Sequence, residues 1–129
     1  MFDGPVIPSI ECNDLAATIA FFRDLPGFEI TGLYPENETP IWAMLERDAA
    51  HLMVTGRNAH SNRAETIFTG SFYFYPENVD TLWASVSAKI DPAQIEWPLE
   101  TFDYGMREFG ITDPNGYLLR FGQAVGHQE

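Results

Sequence analysis

The sequence predicts an α+β protein in which one βαβββ module occurs twice in tandem. A strand, an amphipathic helix and three further strands follow one another over about residues 5–56, and the same order recurs over about residues 70–124. The intervening segment, about residues 57–69, is polar and has no clear period, so we interpret it as a linker. We expect a single domain, residues 1–129, made of the two modules.

The first module opens with a strand predicted over residues 6–12 and a helix that Asp14 is placed to cap. A Pro-Gly pair at residues 26–27 ends this helix. Three strands follow the helix and are predicted over residues 28–34, 41–46 and 50–54, the last two as a hairpin. The apolar face of the helix repeats at i, i+4 and i+7, at Leu15, Ile19 and Phe22.

The second module begins with a strand over residues 71–75, after which Glu77 or Asn78 caps the second helix. An Asp-Pro pair at residues 91–92 is expected to end that helix, and residues 94–99 are expected to form a strand. The helix again has one apolar face, formed by Val79, Leu82, Trp83 and Val86. A closing hairpin completes the module.

This closing hairpin is the least ambiguous part of the sequence. Residues 113–116, Asp-Pro-Asn-Gly, place each residue where a type I turn favours it. Strands rich in aromatic and branched residues flank the turn at residues 106–112 and 117–121. Together with Gly-Met-Arg-Glu-Phe at residues 105–109, this segment resembles the closing hairpin of the glyoxalase/bleomycin-resistance/dioxygenase (vicinal oxygen chelate) superfamily.

The opening of the chain agrees with this resemblance. Residues 7–15, Ile-Pro-Ser-Ile-Glu-Cys-Asn-Asp-Leu, with segments 20–24 and 27–29, are similar to the first strand and helix of the bleomycin-resistance branch. The resemblance implies that the two modules form a U-shaped mixed sheet with a central cleft. It also implies a homodimer, and a bacterial protein with a role in antibiotic resistance.

The charge of the chain narrows the range of partners. Nineteen acidic side chains against seven basic ones give a formal net charge of −12. Because such a field repels a phosphate backbone, we do not expect a nucleic-acid partner. A cationic small molecule would be attracted, although an acidic surface also serves simply to keep a protein soluble.

Targeting signals and cysteines are scarce. The N-terminus lacks the features of a signal peptide, and no window reaches the ~18 consecutive apolar residues of a membrane span. We therefore expect a cytoplasmic protein with no membrane partner. Cys12 is the only cysteine, which excludes an internal disulfide and a cysteine-based zinc site.

Metalloenzymes of the resembled superfamily hold a divalent cation through His and Glu side chains, mainly from the first strand of each module and the last strand of the chain. The corresponding positions here are Pro8, a position at or next to Ser71, and Arg120, and none of these three residues suits that role. The histidines are isolated in a strand, the linker and the tail, at His51, His60 and His127. We expect no metal and no other cofactor.

No spacing in the sequence singles out a catalytic group. Cys12 would need a neighbouring base, and is better explained as a small buried side chain. Carboxylates that lie on or beside predicted strands form no distinctive pair, and they are Glu11, Glu46, Glu96, Glu100 and Glu108. No catalytic residue is assigned.

Aromatic and acidic side chains are the candidate ligand-binding residues, because rings stack and carboxylates attract a cationic group. The first group surrounds an acidic turn and comprises Tyr34, Glu36, Glu38 and Trp42. The second group lies just before and within the closing hairpin and comprises Phe102, Asp103, Tyr104 and Arg107. Core packing or a dimer contact is the alternative for the aromatic residues, and pairing with a carboxylate is the alternative for Arg107.

Two functional hypotheses follow. The first is a bleomycin-resistance-like protein that sequesters a bulky cationic or aromatic small molecule, such as a glycopeptide antibiotic, without metal-dependent chemistry. The alternative is a lyase, isomerase or dioxygenase of the same superfamily with relocated metal ligands. A tightly held transition metal would favour this alternative.

Overall fold

A computed structural model describes residues 2–57, 61 and 64–125 of the chain. The chain divides into two compact units, Met1–Thr66 and Ile67–Glu129. Within the described residues, each unit contains one four-stranded sheet and one α-helix. None of the described helices is both long enough and apolar enough to cross a membrane.

The first unit has the order strand, helix, strand, strand, strand. Its elements are β1 (Ser9–Cys12), α1 (Leu15–Asp24), β2 (Glu29–Tyr34), β3 (Trp42–Arg47) and β4 (Ala50–Gly56). The strands lie in the spatial order β1-β4-β3-β2, with β1 parallel to β4 and the other neighbours antiparallel. The crossover through α1 therefore carries the chain from one edge of the sheet to the other.

The second unit repeats this topology. Its elements are β5 (Ser71–Phe74), α2 (Val79–Ser87), a short 3-10 turn (Pro92–Gln94), β6 (Ile95–Thr101), β7 (Met106–Thr112) and β8 (Leu118–Ala124). The spatial order is β5-β8-β7-β6, again with the first strand parallel to the last. The predicted α+β class and the two βαβββ modules are confirmed.

The core of the first unit lies between α1 and one face of its sheet. Asp14 caps the helix as predicted, because its carboxylate accepts a hydrogen bond from the Ala17 N–H at 3.0 Å. Phe22 is fully buried and packs edge-to-face against Phe21 and Phe28. The sheet contributes a set of buried side chains, Ile10, Cys12, Ala43, Leu45, Leu52 and Val54.

The core of the second unit lies between α2 and one face of the second sheet. Phe109 is fully buried, with its ring centre 4.9 Å from that of Trp83 on the helix and 5.1 Å from that of Phe121 on β8. Phe121 stacks in turn on Phe74 at 4.8 Å. A continuous row of rings thus joins the helix to the sheet.

The turn of the closing hairpin forms as predicted. The Gly116 N–H donates to the Asp113 carbonyl at 3.0 Å, and Gly116 has a φ of +85°, which glycine adopts without strain. The buried Asp113 carboxylate also accepts from the N–H groups of Asn115 and Tyr117, each at 2.9 Å. These bonds fix the register of β7 and β8.

Most predicted strands agree with the structure to within two residues, and the first and last differ by more. β1 begins at Ser9 rather than at residue 6, because Pro8 donates no hydrogen bond and contributes only its carbonyl, which accepts from the Met53 N–H at 2.9 Å. β8 continues to Ala124, beyond the predicted segment 117–121, because its backbone still pairs with β7 there.

The predicted end of the second helix was wrong. α2 ends at Ser87, and Asp91 instead caps the 3-10 turn that follows, accepting a hydrogen bond from the Ala93 N–H at 3.0 Å. At the other end, Asn78 rather than Glu77 caps α2. An Asp-Pro pair starts a helical turn as readily as it follows one, because proline suits the first helical position.

Candidate binding site

The two faces of the second sheet differ because side chains alternate along each strand. On β7, Phe109 and Ile111 are fully buried on the side of α2, whereas Glu108 and Gly110 lie on the opposite side. No described helix of this unit covers that opposite side, which we call the helix-free face. Arg120 of β8 lies on it too, in register with Gly110.

A polar cluster occupies the helix-free face of the second sheet. Its members come from all four strands and from the turn between β6 and β7. They are Tyr73 on β5, Trp97 on β6, Tyr104 in the turn, Glu108 on β7 and Arg120 on β8. Strand pairing therefore joins residues that are far apart in the sequence.

Glu108 is the centre of the polar cluster and has no exposed surface. Its Oε1 accepts hydrogen bonds from the Tyr104 hydroxyl at 2.8 Å and the Tyr73 hydroxyl at 3.0 Å. Arg120 donates from Nε to Oε2 at 3.1 Å and from Nη2 to Oε1 at 3.2 Å. A buried carboxylate is stable only when its charge and lone pairs are satisfied, and these four bonds do both.

Two glycines make room for the aromatic members of the polar cluster. A Cβ at Gly122 would lie 1.9 Å from the Tyr73 hydroxyl oxygen, and one at Gly110 would lie 2.8 Å from the Trp97 indole. Gly122 is in register with Glu108. The rings can therefore lie flat against the backbone because side chains are absent at these positions.

Arg120 lies against two of these rings. Its guanidinium carbon is 4.7 Å from the Tyr73 ring centre and 5.9 Å from that of Trp97, within the range of a cation–π interaction. The Arg120 side chain keeps 30% of its surface exposed, in contrast to Glu108. The Trp97 indole N–H is buried and has no acceptor among the described residues, so it does not face solvent.

The environment of the polar cluster sets its protonation. Burial, followed by the hydrogen bond to Glu108, raises the pKa of Tyr73 to about 12. The same two causes raise the pKa of Tyr104. Burial alone would raise the pKa of Glu108, but the hydrogen bonds from Arg120 and the two tyrosines outweigh it and hold that pKa below its ordinary value. At neutral pH the carboxylate is charged and both phenols are protonated.

These properties suit binding better than proton transfer. A general base needs a free lone pair within reach of the substrate and a pKa near the working pH. The Glu108 carboxylate is buried, accepts four hydrogen bonds and has a lowered pKa. What this face offers to a ligand is the exposed part of Arg120 and the rings beside it.

Of the residues predicted to bind ligand, Tyr104 belongs to the polar cluster and Phe102 lies next to it. Phe102 and Tyr104 stack with ring centres 5.4 Å apart and planes within 11° of parallel. Their turn is closed by a 3.0 Å hydrogen bond from the Gly105 N–H to the Phe102 carbonyl, with Gly105 at a φ of +86°. Tyr104 is 59% exposed, and Asp103 at the tip of the turn is exposed as well.

Arg107 lies on the other face of the second sheet. Its guanidinium pairs with Asp80 of α2, at 2.9 Å from Nη2, and donates to Thr101 at 3.1 Å. This pairing was the alternative foreseen for Arg107. The structure thus separates Arg107 from the polar cluster.

The first predicted group lies in the other unit. Residues 33–38 line an open surface depression, which includes Tyr34, Glu36 and Glu38. Tyr34 is 63% exposed and is the register partner of Trp42. Trp42 packs beside Gly32, where a Cβ would be 3.2 Å from the indole. This group is therefore a second, separate candidate, formed mainly by one loop.

The residues at the superfamily's metal positions do not fit a divalent cation. Pro8 contributes only a carbonyl that is already hydrogen-bonded, and Ser71 offers a neutral hydroxyl. Arg120 is a permanent cation held by Glu108. Among the described residues, no group of three or more His, Cys, Asp or Glu side chains could hold a metal ion.

Of the three histidines, only His51 lies within the described residues, and His60 and His127 lie outside them. His51 is on β4, and its Nδ1 is 3.0 Å from a carboxylate oxygen of Glu46 on β3. Both side chains are about one-third exposed. A single imidazole with one carboxylate is too small a donor set for a typical protein metal site.

Four members of the polar cluster were not assigned to the binding site from the sequence, namely Tyr73, Trp97, Glu108 and Arg120. A signal existed, because Glu108 and Arg120 each interrupt a strand whose alternate residues are strongly apolar. A glycine two residues after each charge, at Gly110 and Gly122, lies on the same face of its strand and strengthens this signal. The pairing of the two charges became visible only with the register of β7 and β8.

The fold and the sequence identify the class of protein. Residues 8–121 match the model of the Glyoxalase/Bleomycin resistance protein/Dioxygenase superfamily. The chain therefore belongs to this superfamily, and the paired βαβββ modules are those of the vicinal oxygen chelate fold. A search of curated proteins found no match.

Several solved structures share the fold. TioX from Micromonospora sp. ML1 is 19% identical with a TM-score of 0.78, and the alignment covers 95% of this chain and 100% of TioX. A protein of unknown function from Agrobacterium tumefaciens str. C58 is 21% identical with a TM-score of 0.74, covering 96% and 98% of the two chains. A lactoylglutathione lyase from Agrobacterium tumefaciens is 21% identical with a TM-score of 0.68, covering 92% of each chain. At these identities the likeness concerns the fold alone.

Proposed function

We propose that this protein binds a bulky aromatic small molecule, cationic in part, and holds it without metal-dependent chemistry. The observation that carries the proposal is the Arg120–Glu108 pair. Arg120 occupies the last-strand position where metalloenzymes of the superfamily place a ligand, and with Glu108 it makes that position a fixed, aromatic-lined polar surface. A glycopeptide antibiotic is one ligand of this description.

Exposed aromatic surface supports an aromatic ligand. Tyr104 and Phe102 already stack on each other, and Tyr104 leaves more than half of its surface in solvent. A planar ligand ring that stacked on Tyr104 would gain both buried apolar area and favourable ring geometry. The hydrogen bond to Glu108 holds the Tyr104 ring in place, so little side-chain entropy would be lost on binding.

Acidic side chains support a cationic group on the same ligand. Asp103 stands at the tip of the turn beside Tyr104, and exposed Glu100 is the register partner of Glu108. The whole chain carries a net charge of −12, which attracts cations and speeds their encounter. A positive group on the ligand would therefore be placed near the rim of the helix-free face.

Titration with bleomycin and with the uncharged planar hydrocarbon fluorene tests this proposal. The chain has three tryptophans, so their fluorescence reports binding together with calorimetry. We expect saturable, stoichiometric binding of at least one probe, and absence of binding tighter than about 1 mM by both would overturn the proposal.

Paired variants locate the binding site. Tyr104→Ala removes the exposed ring of the second unit, and Tyr34→Ala removes a ring of similar exposure from the loop of the first unit. We expect Tyr104→Ala to weaken binding roughly tenfold, and Tyr34→Ala to leave it unchanged. The reverse result would move the site to the loop at residues 33–38.

We also propose that the protein is a homodimer. Support comes from the described N-terminal segment and the start of the second unit, where large apolar side chains are strongly exposed, at Phe2, Val6, Ile67 and Phe68. Association would remove such surface from water. Light scattering at micromolar concentration should give twice the chain mass of 14.6 kDa, and the mass of one chain would refute the dimer.

A further inference from the structure

We infer that Arg120 anchors a neutral carbonyl oxygen of the ligand, so that the site selects planar aromatic compounds that carry a ring carbonyl. This inference rests on the proposed function and specifies the ligand class. It follows from the unused hydrogen-bonding capacity of Arg120, from the charge balance of its pair and from the position of the Tyr104 ring.

Arg120 has donor capacity that its pairing with Glu108 does not use. Nε and Nη2 donate to the two carboxylate oxygens. The Tyr104 hydroxyl is a further hydrogen-bonding partner of the guanidinium. Beyond Glu108 and Tyr104, no acceptor among the described residues binds Arg120, and 30% of its side chain is exposed. An arginine carries five N–H donors in a fixed plane, so a ligand acceptor placed in that plane meets an oriented donor.

The charge of the pair favours a neutral acceptor. Glu108 already neutralises Arg120, and both charges are held in place by the sheet. A ligand carboxylate would meet one compensated cation, the nearby buried carboxylate and the negative field of the whole chain. A carbonyl oxygen gains the same directed hydrogen bond without that repulsion.

The exposed ring lies next to this donor. The Tyr104 hydroxyl and Arg120 Nη2 both donate to Oε1 of Glu108, at 2.8 and 3.2 Å. The aromatic surface and the unused guanidinium edge are therefore neighbours on one carboxylate. A flat molecule that stacks on Tyr104 can direct an oxygen on its edge to Arg120, whereas the same molecule without that oxygen would only stack.

Fluorenone and fluorene form a matched pair of probes, because both are planar and uncharged and they differ by one ring carbonyl. For the wild-type protein we expect fluorenone to bind roughly tenfold more tightly than fluorene, the contribution of one charge-assisted hydrogen bond. A carboxylate derivative of fluorenone should bind more weakly than fluorenone. The infrared carbonyl stretch of bound fluorenone should shift to lower frequency on hydrogen bonding.

The double variant Glu108→Gln/Arg120→Met tests whether Arg120 is responsible. It removes both charges together, keeps an acceptor for the two tyrosine hydroxyls and preserves side-chain volume, so the fold is expected to survive. We expect its preference for fluorenone over fluorene, and the infrared shift, to disappear. If the variant does not fold, the infrared measurement on the wild-type protein still tests whether the ligand carbonyl accepts a hydrogen bond.

The outcomes separate this inference from the proposed function. Equal affinity of the wild type for fluorene and fluorenone, an unshifted carbonyl stretch, or a preference that persists in the double variant would each overturn the carbonyl anchor and leave aromatic binding intact. Failure of the wild type to bind either probe or bleomycin would overturn both proposals. Tighter binding of the carboxylate derivative than of fluorenone would show that Arg120 prefers an anionic oxygen, and would overturn the inference of a neutral carbonyl.

Discussion

The two sheets have the same topology, yet their helix-free faces differ in chemistry. In the second sheet this face is centred on buried Glu108 and its partner Arg120. In the first sheet the face opposite buried Leu45 and Leu52 carries Met44 on β3 and Met53 on β4, which are register partners. The repeated module therefore gives two sheets of the same topology, and the residues at alternate strand positions determine the chemistry of each face.

The first sheet carries a contact between an imidazole and a carboxylate, in a different environment. Glu46 and His51 pair at 3.0 Å near the β3–β4 turn, and both side chains are about one-third exposed. Solvent screens such a pair, and its loss costs little. We therefore expect the fold to depend more strongly on the buried Glu108 pair than on this exposed contact.

The largest expected effect is the loss of Arg120 alone. Arg120→Met leaves the Glu108 carboxylate buried without its cation, so we expect the free energy of unfolding to fall by about 3–5 kcal/mol in urea denaturation. The double variant Glu108→Gln/Arg120→Met should recover most of this loss. A decrease below about 1 kcal/mol in the single variant would contradict the role of the pair.

A smaller effect is expected from filling the space beside the polar cluster. Gly122→Ala places a Cβ 1.9 Å from the Tyr73 hydroxyl, and we expect a loss of about 1–3 kcal/mol, measured in the same way. Gly56→Ala is the control in the last strand of the first unit, where the nearest atom is the Ile41 carbonyl oxygen at 4.0 Å. Similar effects of the two substitutions would show that the second sheet yields easily at this point.

Lowering the pH should reduce the contribution of the buried Glu108 carboxylate to the free energy of unfolding. Because the pKa of Glu108 lies below its ordinary value of 4.5, the unfolded chain takes up a proton first as pH falls. The stability that Glu108 contributes is therefore complete above that value and is lost as pH falls through the folded-state pKa, by about 1.4 kcal/mol for each pKa unit of the displacement.

The measurement is the difference in unfolding free energy between the wild type and Glu108→Gln/Arg120→Met, followed from about pH 7 to pH 3. This difference removes the contributions of carboxylates that the two proteins share, including buried Asp113, whose pKa is raised by burial. A difference that did not change with pH would show that Glu108 has the same pKa in both states.

The smallest effect is expected in the first sheet. His51→Gln removes the partly exposed contact with Glu46, and we expect a change below about 1 kcal/mol in the unfolding free energy. A loss as large as that of Arg120→Met would remove the contrast between the two faces. Binding of the aromatic probes should be unaffected by this substitution.

Local sequence chemistry was enough to predict most of the fold. The caps, the helical periods and the turn at residues 113–116 each rest on contacts between neighbours in the chain, which a sequence displays directly. The end of α2 was misplaced because Asp91-Pro92 is compatible with both the end of one helix and the start of another helical turn. Among the candidate site residues, Tyr104 belongs to the polar cluster and Phe102 stacks on it, whereas Arg107 pairs with α2.

By itself, the sequence determined the order of elements, the repeated module and the superfamily, because these depend on periodicity and turn residues within short segments. Only the tertiary structure decided that Tyr73, Tyr104 and Arg120 converge on Glu108. Their meeting depends on which strands pair and in which register. A register shift of one residue would turn each side chain of a strand to the opposite face of the sheet. The sequence of one strand does not specify the register in which it pairs with another.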